Sequence, residues 1–137
     1  MVRRWFEEVW NQRRLETIDE LLAPDARVHD MTAPGTVIEG LEHFRAAAQQ
    51  IYTAFGEIHM TVEDIFGDGD RVVVRVSGRL KHTGPLGPLP PTGEEVTVPI
   101  MSIIHVRDGK FVEGWNNWDI ASVLRTAKAP PQQRALF

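Results

Sequence analysis

The sequence predicts an α+β fold in which helices come first and a mostly antiparallel sheet follows. Apolar residues recur with the period of a helix over roughly the first 55 residues, and at every second position after that. The later segments are joined by short turns rather than by helices, which is typical of antiparallel strands. A length of 137 residues fits one domain.

Three helices are predicted in the N-terminal part. The second spans about Glu16 to Leu22, and the third runs from about Gly40 to Phe55. Pro24 ends the second helix because the residue before a proline avoids the helical region. The apolar faces of the three helices are formed by Val2, Trp5, Phe6, Val9 and Trp10, by Ile18, Leu21 and Leu22, and by Leu41, Phe44, Ala48, Ile51 and Phe55.

The strands are predicted from alternation and from the turns between them. A short strand at about Arg27 to Asp30 precedes a turn at Ala33-Pro34-Gly35. Pro99 cannot donate to a strand ladder, so we expect it at a bulge or an unpaired edge position. The later strands lie around Ile58 to Val62, Val72 to Arg79, Val96 to Val106 and Phe111 to about Ile120, separated by Gly67-Asp68-Gly69-Asp70, a loop at about Thr83 to Gly93, and Arg107-Asp108-Gly109.

Composition and charge exclude several classes of function. The net charge is -4 and the basic residues are scattered, which disfavours nucleic acid binding. The absence of cysteine excludes disulfides and cysteine-ligated metals. The five histidines lack metal-binding spacing and no phosphate-binding loop is present, so we expect neither metal nor cofactor. No signal segment or apolar run of about 20 residues is visible, so a cytoplasmic location is expected.

Three stretches of the chain resemble one known family. They read FEEVWNQRRLETIDELLAPDARVHD, TVEDIFGDGDRVVVRVSGRLKHTGPLGPLPPTGEEVTV and IHVRDGKFVEGWNNWDIASVLRTA. The chain is thereby similar to the SnoaL-like polyketide cyclases, also called ester cyclases, of the NTF2-like superfamily. The resemblance implies one domain over residues 1–128, followed by a tail at 129–137 that we expect to be loosely ordered.

The resemblance also implies a shape and a reaction. The fold would be a cone, with a strongly curved sheet wrapped around the helices and a pocket for a small hydrophobic or polyketide-like molecule inside. In this family a histidine and an aspartate near the chain end face the pocket, and the aspartate is the acid/base of an intramolecular aldol ring closure. The matching positions are His105 and Asp119.

The residues leave alternatives open for both positions. Aromatic neighbours would desolvate Asp119 and favour an acid/base role, but Asp119 is equally suited to cap the segment that follows it. A two-residue type I′ turn at Asp108-Gly109 would put His105 and Asp119 on opposite faces. A three-residue loop with a bulge would instead align His105, Glu113, Trp115, Asn117 and Asp119 on one face.

Further residues are candidates for substrate binding. Trp115 and Trp118 fall on opposite faces of one predicted strand. One of them should therefore line the pocket while the other packs outside or against a partner. Tyr52 is a plausible donor from its hydroxyl. Asn117 could steady an enolate. His29 and Asp30 could line the pocket mouth or form a satisfied strand-end pair, and His82 belongs to a rim.

Three functions fit these patterns. The first is a cofactor-free enzyme that moves a proton on an enolisable carbonyl or ester compound. The second is a ligand-binding or dimer-forming domain without catalysis, and the third is a hydroxylase or isomerase of the same superfamily. Apolar positions on the sheet face away from the helices, notably Val73, Met101 and Ile103, also predict a homodimer.

Overall fold

The computed structural model of the chain describes residues 1–118, 120 and 124. Within them, three helical elements are combined with one six-stranded sheet. Asp119 and the predicted tail at 129–137 lie outside the described residues. None of the helices in the described part is long and apolar enough to cross a membrane.

The three predicted helices are confirmed. The first begins as α1 (Val2–Arg4) and continues as a π-helical segment (Trp5–Asn11), and α2 (Leu15–Leu21) and α3 (Leu41–Ala54) follow. The five apolar residues predicted for the first helix are all buried. The prediction is wrong at Leu22 and at Phe55, which have extended backbone and already begin the first and third strands.

The sheet is mostly antiparallel, as predicted, with the strand order β2-β1-β6-β5-β4-β3. Among the strands of the described residues, only β1 and β6 run parallel. Strand β2 has three residues, which is too short to show alternation, and the sequence did not predict it. The bounds are β1 (Leu22–Asp30), β2 (Val37–Glu39), β3 (Phe55–Asp68), β4 (Arg71–His82), β5 (Glu95–Arg107) and β6 (Lys110–Asn117).

The two faces of the sheet differ in burial, and β5 shows this most clearly. Its residues Val98, Ile100 and Ile104 are at most 8% exposed and belong to the core beneath the helices. Met101 and Ile103, between them, are 54% and 44% exposed. We call the helix-covered side the inner face and the opposite side the outer face.

The β5–β6 hairpin combines both geometries left open by the sequence. Asp108 and Gly109 have φ of 52° and 75° and form a two-residue turn, with Arg107 opposite Lys110. A bulge follows, because Val106 pairs with Phe111 whereas His105 pairs with Glu113. His105, Glu113, Trp115 and Asn117 therefore share one face of the sheet.

At Pro99, strand β5 is paired with β4 on one side and is not yet paired with β6 on the other. Pro99 is opposite Ser77 in β4, and the register with β6 begins only at Met101. A missing N–H is tolerated at such a half-paired position, as expected from the sequence.

Candidate functional site

The inner face and the helices enclose a small, largely apolar cavity. Its volume is about 50 Å³, and its walls include Trp5, Phe6, Phe44 and Ile100. It adjoins a wider mouth of about 220 Å³ beside α3. Five residues line both spaces: Trp10, Val28, Phe44, Asn116 and Trp118. We call the two spaces together the cone pocket.

A serine and an asparagine supply polarity to the cone pocket. Ser102 on β5 is 4% exposed, and its hydroxyl donates to Oδ1 of Asn116 on β6 at 2.6 Å. The two residues are register partners on the inner face. This hydrogen bond orients the Asn116 amide, whose oxygen accepts and whose NH₂ group is a donor.

Trp118 contributes a second donor. It follows β6 and lines both parts of the cone pocket, and its ring packs edge-on against Trp10 with centroids 5.2 Å apart. Its Nε1 atom is buried, and no described residue accepts a hydrogen bond from it. A buried donor without an acceptor costs about 1–3 kcal/mol, so such groups in native proteins call for an explanation.

The side chains of His29 and Asp30, which were predicted as a pair, lie on opposite faces of the sheet. Asp30 lies at the pocket mouth, opposite Asn116 in the parallel β1–β6 ladder. Its Oδ1 accepts hydrogen bonds from the backbone N–H of Thr32 at 2.8 Å and from the Thr32 hydroxyl at 2.6 Å. His29 also borders the mouth, but its ring lies on the outer face, stacked on Trp115 at 5.0 Å.

His105 does not line the cone pocket, which corrects the expectation drawn from the resemblance. It lies on the outer face, 4.9 Å from the Trp115 ring, because Ser102 and Ile104 occupy the inner positions of β5. Trp115 and Asn117 lie on the outer face as well. The roles predicted for Asp119 stay predictions, since it lies outside the described residues.

Two other candidates have structural partners away from the pocket. The Tyr52 hydroxyl donates to the backbone carbonyl of Val9, so it is not the pocket donor that we expected. Burial raises the pKa of Tyr52 to about 12. His82 is fully buried rather than on a rim, and its Nδ1 accepts the backbone N–H of Thr92 at 3.2 Å.

The outer face holds a hydrogen-bonded pair that the sequence did not predict. Nε2 of His29 lies 2.7 Å from Oε2 of Glu113. This hydrogen bond lowers the pKa of Glu113 below its ordinary value, helped by the charge of Arg27 and opposed by desolvation. Among the described residues, no group of three or more histidine or acidic side chains is arranged to hold a metal ion.

Asn116 and Ser102 are the pocket residues that sequence reasoning missed. The alternation of the sequence points to both residues. Asn116 lies two positions before Trp118 and therefore on the same face of the strand, and Ser102 is a polar residue in the otherwise apolar alternating series from Val96 to Val106. Neither could be assigned to the pocket while the covered face of the hairpin was unknown.

The three helices and the curved, mostly antiparallel six-stranded sheet define an α+β fold of the NTF2-like kind. The SnoaL-like polyketide cyclase family matches residues 1–127. The chain therefore belongs to that family. No curated protein sequence matches it.

Solved structures agree with this assignment. A candidate SnoaL-like polyketide cyclase from Jannaschia sp. CCS1 has 27% identity and a TM-score of 0.83, over 95% of this chain and 90% of its own. IdmH, a candidate polyketide cyclase from Streptomyces antibioticus, has 32% identity and a TM-score of 0.76, over 90% and 94%. AclR, a candidate hydroxylase from Streptomyces galilaeus, has 24% identity and a TM-score of 0.74, over 89% and 90%, and shares the fold.

Proposed function

We propose that the chain is a cofactor-free enzyme that carries out acid/base chemistry on an enolisable carbonyl or ester compound in the cone pocket. The family is one of polyketide cyclases, and an intramolecular aldol-type cyclisation is the reaction that the resemblance implies. The observation that carries the proposal is the buried indole N–H of Trp118, which lines an apolar pocket without an acceptor among the described residues.

The chemistry needs a donor for the oxygen on which charge develops. When a proton leaves the carbon next to a carbonyl group, negative charge accumulates on the carbonyl oxygen. Hydrogen-bond donors fixed in an apolar, water-poor site stabilise that charge far better than water does. Trp118 and Asn116 would fill this role, with Ser102 holding the Asn116 amide in orientation.

The reaction also needs a carboxylate to take the proton. The resemblance assigns this role to Asp119, directly after Trp118 in the chain. Asp30 at the pocket mouth is the alternative base, and its hydrogen bonds from Thr32 fix its orientation. The mouth is wider than the inner cavity, so the reactive end of the substrate would enter the cavity and the remainder would lie in the mouth.

Hydrogen–deuterium exchange tests the proposal without the natural substrate. Small cyclic and aryl ketones and β-keto esters are incubated with the protein in D₂O, and exchange beside the carbonyl is followed by NMR. We expect exchange above the buffer rate for at least one probe. Trp118→Phe keeps the ring and loses the donor, so the exchange should slow about 10-fold or more.

Matched variants separate the roles. Trp115→Phe, on the outer face, should leave the exchange rate within about 2-fold of the wild type, whereas Asp119→Asn should lower it about 100-fold or more. Equal effects of the two tryptophan variants would overturn the donor role of Trp118. A probe that binds without any exchange would indicate a ligand-binding domain, and a large loss with Asp30→Asn alone would move the base to Asp30.

A further inference from the structure

One carboxylate borders the mouth of the cone pocket without a cation beside it. Asp30 is partly buried at the mouth, and no described residue forms an ion pair with it. Among the described residues that line the pocket, the only lysine or arginine is Arg27, whose guanidinium pairs with Glu39 at 3.4 Å. The charge of Asp30 is therefore left for water or for a bound molecule to balance.

The Asp30 carboxylate is held by one of its two oxygens. Its Oδ1 accepts the backbone N–H of Thr32 at 2.8 Å and the Thr32 hydroxyl at 2.6 Å, whereas no described residue donates to Oδ2. An ionised carboxylate accepts hydrogen bonds on both oxygens, so Oδ2 is an acceptor in a fixed orientation. Asn116 lies opposite Asp30 in the β1–β6 ladder and also borders the mouth. The mouth therefore joins an unused anionic acceptor to the polar end of the pocket.

A molecule that fills the mouth removes water from Asp30, and this restricts what the molecule must carry. The mouth has a volume of about 220 Å³, and its walls are largely apolar, with Trp10, Phe44 and Trp118 shared with the inner cavity. An apolar occupant would leave the carboxylate without water and without a donor, which is costly for a charged group. A ligand of this pocket therefore has to bring a hydrogen-bond donor to Oδ2.

The aromatic walls favour a cation over an uncharged donor. The rings of Trp10 and Trp118 stand at 89° to each other with centroids 5.2 Å apart, and both residues line the mouth. Aromatic rings attract ammonium groups, and the attraction is stronger when the cation leaves water. A hydroxyl group would donate to Oδ2 but would neither balance its charge nor gain from the rings, and hydrogen bonds between two charged groups are the stronger ones. The chemistry that satisfies both walls is a protonated amine.

We propose that the substrate carries a protonated amino group, which binds Asp30 at the mouth while the enolisable carbonyl group lies in the inner cavity. The carbonyl end of this proposal rests on the function proposed above, and Asp30 becomes a specificity-determining binding residue rather than the base. Asp30 is opposite Asn116, and Trp118 lies two residues further on. With strands about 4.8 Å apart and a rise of about 3.3 Å per residue, Asp30 and Trp118 are separated by roughly 8 Å. The substrate class is therefore a compact amino ketone or amino ester, with roughly 5–8 Å between its nitrogen and its carbonyl oxygen.

Three aryl ketones of matched shape test the amine site. The compounds are para-(aminomethyl)acetophenone, para-ethylacetophenone and para-(hydroxymethyl)acetophenone, which place an ammonium, a methyl or a hydroxyl group at the same position. Their dissociation constants are measured at neutral pH by isothermal titration calorimetry. We expect the wild-type protein to bind the ammonium compound about 10-fold or more tightly than the ethyl compound, and more tightly than the hydroxymethyl compound. Asp30→Asn keeps the shape and removes the charge, so the preference should fall to about 2-fold or less.

Two control variants separate the charge of Asp30 from its place in the turn. Asp25→Asn removes an exposed carboxylate from the same strand, outside the pocket, and should leave the preference unchanged. Thr32→Val removes the hydroxyl that supports Oδ1 but keeps the carboxylate, so the preference should persist. If Asp30→Asn does not fold, the wild type still gives an answer by NMR. The Thr32 amide resonance should shift with the ammonium compound and not with the ethyl compound, because this N–H donates to Asp30.

The outcomes for binding and for catalysis are distinct. Equal affinity for the ammonium and ethyl compounds, equal affinity for the hydroxymethyl compound, or a preference that survives Asp30→Asn would each overturn the amine class. Exchange of neutral ketones without any preference for the amine would leave the proposed function standing and contradict this inference. A preference that depends on Asp30, without exchange of any probe, would support the amine site and contradict the proposed catalysis.

Discussion

Asn11 ties the first helix to the exposed edge of the sheet. It ends the π-helical segment, its Nδ2 donates to the Met60 carbonyl at 3.0 Å, and its Oδ1 accepts the Met60 N–H at 2.6 Å. Strand β3 is the last strand of the sheet, and within the part of the chain that the structure describes it pairs only with β4. The side chain therefore satisfies a backbone donor and acceptor that no neighbouring strand reaches.

The substitution Asn11→Ala removes both hydrogen bonds to Met60 at once, together with an exposed hydrogen bond to Glu7 at 2.8 Å. Each contributes about 0.5–1.5 kcal/mol net, and the site is partly buried, so water replaces them only in part. We expect the free energy of unfolding to fall by about 2 kcal/mol. For a chain of this length that corresponds to a melting temperature lower by roughly 6–10 °C.

Urea denaturation followed by circular dichroism measures the loss. Gln12→Ala is the matched control, because Gln12 also bonds Glu7, at 3.4 Å, but does not reach the sheet. It should change the free energy of unfolding by no more than about 0.5 kcal/mol. If Asn11→Ala were as mild as Gln12→Ala, the contact with Met60 would not hold the helix to the sheet edge.

Two other substitutions follow from the pKa shifts. Tyr52→Phe should lower the free energy of unfolding by about 1 kcal/mol in urea titrations, by removing the hydrogen bond to Val9. Because the pKa of Tyr52 is raised from 10.0 to about 12, the wild type should lose stability as pH rises from 10 towards 12, and the Phe variant should lack that loss. Glu113 has a pKa below its ordinary 4.5, mainly through its hydrogen bond from His29, so its contribution is present above pH 4.5 and is lost as pH falls further. Glu113→Gln should flatten that acid limb in thermal melts, and an unchanged limb would contradict the pairing.

The order of elements and the buried helix faces could be predicted because they depend on local periodicity. Val2, Trp5 and Val9 repeat at helical spacing whatever they pack against, and all three are buried. Hydrogen bonds between residues that are far apart in the chain produce no such periodic pattern in the sequence. The hydroxyl of Tyr52 reaches a carbonyl 43 residues away, and His82 pairs with a loop residue, so neither assignment was accessible from spacing.

The β5–β6 hairpin shows that alternation alone does not identify which face of a strand the helices cover. The bulge opposite His105 was foreseen as one of two geometries, and it does bring His105, Trp115 and Asn117 onto one face. Alternation states which residues share a face, but not which face the helices cover. Both faces of β5 are apolar in the sequence, so the expected face of His105 came from the resemblance alone. The resemblance placed His105 on the inner face, whereas the structure has it on the outer face.

Adjacent isoleucines on β5 test this explanation of the misassignment. Ile103 and Ile104 are indistinguishable by composition, but Ile104 is 8% exposed beneath the helices and Ile103 is 44% exposed on the outer face. Ile104→Ala removes buried methyl groups and should lower the free energy of unfolding by about 3 kcal/mol. Ile103→Ala should cost about 1 kcal/mol or less in dilute monomer, because its side chain is already half in water. Urea titrations at low concentration compare the two. Equal losses would mean that the outer face is covered within a single chain, and a larger loss at Ile103 would reverse the assignment of inner and outer faces on which the cone pocket rests.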